Sequence, residues 1–169
     1  YTGVSLEGRA FWIIRSAPLN ISGFLWSKFL YAFIPVTVLI VLLVCVTNLA
    51  MNVKGLLMTV SVLTTIMLCA SISGLGTGFG AIYPKFKYEN IASVAMSLGG
   101  MAFMMIAFCV VIVTLSLEAW IFYLSQVRSH GIFSFQILTC AVLIMLLNSA
   151  VFYLPMRIGM SRLSDNPGI

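Results

Sequence analysis

Residues Gly74–Asn90, GLGTGFGAIYPKFKYEN, decide the fold. Glycines stand at every second position, Gly74, Gly76, Gly78 and Gly80, before Ile82-Tyr83-Pro84. Lys85 and Lys87 then alternate with Phe86 and Tyr88 up to Glu89-Asn90. The apolar segments on either side are too long for core helices of a small soluble domain. A glycine-studded helix end that turns at a proline into a basic-aromatic loop marks the place where a membrane bundle meets water. The lysines and aromatic rings of that loop suit a position across the lipid headgroups better than one against nucleic acid bases.

The glycines themselves admit two readings. Gly74-x-x-x-Gly78, Gly76-x-x-x-Gly80 and the row Ser73, Thr77, Ala81 put small residues on helical faces, where they let backbones approach closely. The other reading is a broken helix that exposes backbone groups to a cavity, as in transporters with discontinuous helices. A phosphate-binding loop is excluded, because no Lys-Ser or Lys-Thr pair follows the glycines.

Composition agrees with a membrane setting. The chain of 169 residues is 62% apolar and 8% charged, with a mean hydropathy of +1.13. A soluble domain carries about 25% charged residues, so this chain could not cover a globular surface. The net charge of +5 reflects loops biased to one side of a membrane and does not imply a nucleic acid partner. Cys45, Cys69, Cys109 and Cys140 fall one to each apolar segment, which suggests neither a disulfide framework nor a metal site. The sequence begins at Tyr1 without a signal-peptide pattern, as expected of the C-terminal portion of a longer polypeptide.

Working outward from the glycine stretch, four spans are expected, at about 29–49, 56–83, 95–117 and 132–153. Each is long enough to cross a hydrocarbon core of about 30 Å. Together they form an all-α, polytopic helix bundle over residues 24–156. Pro35 lies within the first span, and Pro155 is expected to close the fourth. The second span is too long to stand upright and must tilt, protrude or break. Gly99-Gly100 opens the third span, and Met101, Met104 and Met105 supply adaptable apolar packing there. Glu118 is the one acidic residue in an apolar run. It reads either as an interfacial residue at a span end or as a functional intramembrane carboxylate. Gln136 and Asn148 are expected to bond to neighbouring helices.

Residues 1–23 form an amphipathic interfacial segment. Ser5 is placed to cap a short helix, Glu7 suits its positive end, and Pro18 stops it. Leu6, Ala10, Ile13 and Ala17 share one face, with Trp12 at headgroup depth. The segment is either a plain anchor or a docking surface for a cytosolic partner. Asn20-Ile21-Ser22 has the glycosylation pattern but falls on the cytoplasmic side of the topology. Arg9, Arg15, Lys28, Lys85, Lys87, Arg157 and Arg162 collect on one side of the membrane, and Lys54 and Arg128 on the other. The positive-inside rule puts the first set in the cytoplasm, so both ends and the tail 157–169 are expected there, in a plasma-membrane protein.

Two blocks then resemble a known family. Ser5-Leu6-Glu7-Gly8-Arg9-Ala10-Phe11-Trp12, continued by Arg15-Ser16-Ala17-Pro18-Leu19 and Ser27-Lys28, is similar to permease subunits of bacterial ABC exporters. Gly78 through Asn90, with Gly99-Gly100 beyond, repeats the family's glycine-rich helix end and its aromatic-Pro-basic loop. Ile91 stands where many relatives carry proline. The resemblance implies a permease that moves a substrate by alternating access while a separate nucleotide-binding subunit hydrolyses ATP. It implies that Glu7, Arg9, Phe11, Trp12 and Arg15 contact that ATPase subunit, with Lys85, Lys87 and Glu89 as a second contact. Further permease helices, or a second permease copy, would complete the assembly in the bilayer.

This chain carries no Walker A pattern, so no catalysis, bound cofactor or metal is expected on it, and ATP belongs to the partner. One histidine and four acidic residues assemble no H-E-x-x-H motif, paired aspartates or Ser-His-Asp set. The competing expectation is a non-transporting membrane scaffold or anchor. It requires Ser71, Ser73, Thr77 and Asn148 to be shielded in helix contacts.

Overall fold

A computed structural model describes residues 21–53, 55–82, 97–127 and 133–165. Four helices account for nearly all of them: α1 (Ile21–Ala50), α2 (Leu56–Ile82), α3 (Leu98–Val127) and α4 (Phe133–Asp165). Each contains a stretch long and apolar enough to cross a membrane, and there is no strand among the described residues. The chain is a multi-pass membrane protein with an all-α fold. Only helices let a spanning segment satisfy its backbone groups internally.

Local chemistry explains the helix ends. At the C-terminus of α1, Asn52 takes the left-handed conformation (φ 55°). Val53 N–H donates to the Asn48 carbonyl at 2.9 Å, and Asn52 N–H to the Leu49 carbonyl at 3.1 Å. This is the paired 6→1 and 5→2 closure of a Schellman cap, at a site where asparagine tolerates positive φ. Gly55 (φ 70°) completes the turn, and its carbonyl accepts from Thr59 N–H as α2 begins. Ser97 caps α3: its hydroxyl oxygen accepts from Gly100 N–H at 3.3 Å.

Three boundaries differ from the sequence reading. α1 starts at Ile21, inside the segment expected to lie in the interface. α3 runs ten residues beyond Leu117, which places Glu118 within the helix and not at its end. Pro155 does not close the last span, because α4 continues through it to Asp165. A proline inside a helix leaves the carbonyl four residues earlier, here Val151, without its usual donor. Packing against α2 holds the helix together across that gap.

α2 is the central helix. It packs most extensively on α4, then on α1 and α3, while α1 and α4 barely meet. Leu25 of α1, Ala81 of α2 and Met160 of α4 form a core at the end where α2 finishes. The outer faces of α1 and α3 expose Val38, Leu39, Leu42, Met105 and Phe108, a surface suited to lipid tails.

Candidate functional site

The site is built where α2 crosses α4. Gly74, Gly76, Gly78 and Gly80 are all buried on an unbroken helical segment. A Cβ at Gly78 would lie 2.5–2.7 Å from the backbone and Cβ of Pro155. At Gly159 it would lie 2.9 Å from the Ala81 Cβ and 3.0 Å from the Gly78 carbonyl oxygen. At Gly74 it would run into the Phe152 ring, whose Cε2 is at 2.9 Å. The two backbones therefore meet at distances only hydrogen side chains allow. Lipid tails are as apolar as leucine, so this close packing, not hydrophobicity, is what holds membrane helices together.

One to two turns from the crossing lies a polar node joining three helices. Ser71 Oγ of α2 donates to Asn148 Oδ1 of α4 at 2.7 Å. Asn148 Nδ2 donates to the Ile144 carbonyl at 2.9 Å and reaches the Thr114 hydroxyl of α3 at 3.5 Å. Ser71, Asn148 and Thr114 are each no more than 1% exposed. Thr77 is buried nearby, with its hydroxyl 3.0 Å from the carbonyls of Ser73 and Gly74 and 3.3 Å from the Met156 sulfur. Every polar group of the node has a partner, as a low-dielectric interior requires.

Aromatic rings roof the node. Phe152 stands 5.2 Å from Phe29 and 6.1 Å from Trp26, Phe29 stacks on Phe33 at 5.2 Å, and Tyr153 meets Phe152 edge-on at 5.3 Å. A cleft of about 290 Å³ lies between them, bordered by Met67, Ser71, Asn148 and Ser149. Its aromatic walls and small polar floor have the composition usual for a small-molecule pocket. A second cleft, of about 390 Å³, lies between α1, α2 and α3 near the α1–α2 turn and includes Glu118. No group of three or more potential metal ligands occurs among the described residues.

The residues singled out in the sequence fall into two classes. Glu7, Arg9, Phe11, Trp12, Arg15, Lys85, Lys87 and Glu89 lie outside the described residues. Gly74, Gly76, Gly78 and Gly80 are gathered in α2, with Gly74 and Gly78 facing α4, while Gly99 and Gly100 are buried in the first turn of α3. Sequence reasoning missed the other half of the crossing, Phe152, Pro155 and Gly159. It also missed Thr114 as the third member of the polar node. A lone small or hydroxyl residue in an apolar run gives no sign of what it faces.

The chain matches the family described as "Putative ATP-binding cassette" over residues 1–166. No curated protein and no solved structure matches it.

Proposed function

The chain belongs to this ATP-binding-cassette family, and from that premise we propose that it is the membrane-spanning permease component of an ATP-driven exporter. A separate nucleotide-binding subunit hydrolyses ATP, and its closure switches the pathway between inward and outward access. The observation that carries the reading is a family match over 1–166 on a chain whose described helices are all apolar enough to span. In this reading no ATP and no cofactor binds to this chain, which has no catalytic role. Both ends face the cytoplasm, and the membrane is the plasma membrane. Residues 5–17 and the loop 85–89 receive the ATPase subunit.

The polar node supports a pathway role within that scheme. Ser71 and Asn148 border the aromatic cleft, so a shift of α4 against α2 would present their hydroxyl and amide to a substrate lodged there. The decisive experiment reconstitutes the chain with a candidate ATPase subunit encoded beside it and measures ATP hydrolysis. Reversing the charges of Glu7 and Arg9 should abolish the permease-stimulated part of that activity. Unchanged stimulation would remove this segment from the interface.

A second reading, a non-transporting scaffold, draws on a specific observation: of the four polar residues it requires to be shielded, Ser71, Thr77 and Asn148 are buried in helix contacts, while Ser73 is half-buried. Cysteines placed at 71 and 148 in a background lacking the four native thiols distinguish the two. A permease exposes them to an aqueous maleimide in one nucleotide state. A scaffold shields them in all.

A further inference from the structure

Ser149 of α4 borders the aromatic cleft and is exposed, yet its hydroxyl makes no hydrogen bond among the described residues. Other exposed hydroxyls of the bundle turn back on their own helix. Thr47 Oγ1 donates to the Leu43 carbonyl at 2.9 Å, Ser116 Oγ to Ile112 at 2.7 Å and Thr139 Oγ1 to Gln136 at 2.8 Å. Ser149 lies near the middle of the apolar stretch Gln136–Ser161. At 1.5 Å per residue that is about 18 Å from either end, where neither water nor headgroups supply an acceptor. Hydrocarbon leaves such a donor unsatisfied at a cost, which an incoming acceptor recovers. Unlike Ser71 and Asn148, which are sealed and paired, this donor is open to a ligand.

The walls narrow the class of ligand. Phe152 is seated over Gly74, where no side chain competes for the space, so this wall is held in place. Trp26 and Tyr153 are exposed and α1 barely meets α4, so the mouth opens sideways onto lipid. No charged side chain borders the cleft among the described residues. An ionised ligand would enter without a counter-charge, which a low-dielectric site makes costly. Resting on the permease reading, we infer that the substrate class is an uncharged, ring-bearing molecule with a carbonyl-type acceptor, taken up from the membrane between α1 and α4. Its ring packs against Phe152 and Trp26, and its oxygen accepts from Ser149 Oγ. Aromatic rings favour one another in offset or edge-on contact, and a lipid tail offers neither ring nor acceptor. A volume of about 290 Å³ accommodates a pair of linked rings.

The test is photolabelling with benzophenone, itself an uncharged diaryl ketone. The full chain in nanodiscs is illuminated without any ATPase subunit, and the attachment sites are mapped by peptide mass spectrometry. Labelling of Met67 and Phe152, which border the cleft, should saturate as benzophenone is added. Ser149→Ala should raise the half-saturating concentration about fivefold, the factor expected for one neutral hydrogen bond. Ser149→Thr, which keeps a hydroxyl, should stay near wild type. Diphenylmethane, which lacks the carbonyl, should compete several-fold less well than unlabelling fluorenone. The charged para-benzoylbenzoate should not compete at equal membrane concentration. Labelling that never saturates and falls as heavily on the outward Leu39 and Met105 means that lipid tails fill the cleft, and it overturns the proposal. So does an unchanged half-saturation in Ser149→Ala, or competition by para-benzoylbenzoate equal to that by fluorenone. Transport is tested apart, by repeating the labelling with the ATPase subunit and ATP present. Saturable, Ser149-dependent labelling that nucleotide leaves unchanged supports the ligand class and overturns the transport reading alone.

Discussion

The α2–α4 seam and the outer flank of α1 are both apolar helical surfaces, yet one is a protein interior and the other is uncovered among the described residues. Only 6% of the most apolar stretch of α1 is buried, against 22% in each of the other three helices. Hydrophobicity does not separate them. α1 carries large side chains such as Val38, Leu39 and Leu42 outward, while the seam is made from Gly74, Gly78, Gly159, Ser71 and Asn148. In a bilayer, moving leucine from lipid to protein gains little, so small size and polar pairing decide which face finds a partner.

Substitutions on the two surfaces should therefore have unequal costs, and the largest test of the contrast is Gly78→Leu. Its side chain has no room beside the Pro155 backbone, and the bundle should lose about 3 kcal/mol or more, the upper range for overpacking. Reversible unfolding in mixed lipid–detergent micelles measures it. Gly74→Ala should cost about 2 kcal/mol, because the new methyl meets the Phe152 ring and not a backbone. In a Phe152→Leu background that cost should fall by about 1 kcal/mol, since residues in contact do not act additively. Equal costs in both backgrounds would mean that the ring is not what Gly74 accommodates.

Asn148→Ala comes next, at about 1 kcal/mol, because interhelical hydrogen bonds in membranes are individually modest. Ser71→Ala should cost less and should cost nothing further once Asn148 is gone, if the 2.7 Å contact is the bond that matters. At the bottom of the scale, Leu42→Ala on the outer flank of α1 should change stability by less than about 0.5 kcal/mol. A larger loss there would show that the flank is covered by another helix, and the contrast between the two surfaces would have to be redrawn.

Much of the fold was legible in the sequence because the bilayer simplifies the reading. Long apolar runs broken at Asn52, Pro84 and Arg128 leave few other arrangements of the chain, and the four helices appear where the runs are. Their ends were less legible. Pro155 reads as a stop by its missing N–H, but whether a helix continues past proline depends on what packs against it, here Gly78. The glycines of α2 could be recognised as a close-packing surface or as a break, and sequence spacing alone does not choose between them. The continuous helix through Gly74–Gly80 shows close packing among the described residues. For the polar node, Asn148 drew notice, with Gln136, as one of two amides in the last span, whereas Thr114 did not. A threonine can satisfy its hydroxyl on its own helix and so needs no partner across a bundle.

Pro155 sits where the α2 and α4 backbones come close together, with Gly78 pressed against it. The ladder of α4 lacks one rung there, so the rod is softened where it is clamped. The ten residues beyond, Met156–Asp165, are tied to the rest by the helix itself and by Met156, Gly159 and Met160, which pack inward. A force applied at the far end would meet Met160 and Gly159, packed on Ala81, before it was passed back to the Gly78 contact and the helices beyond.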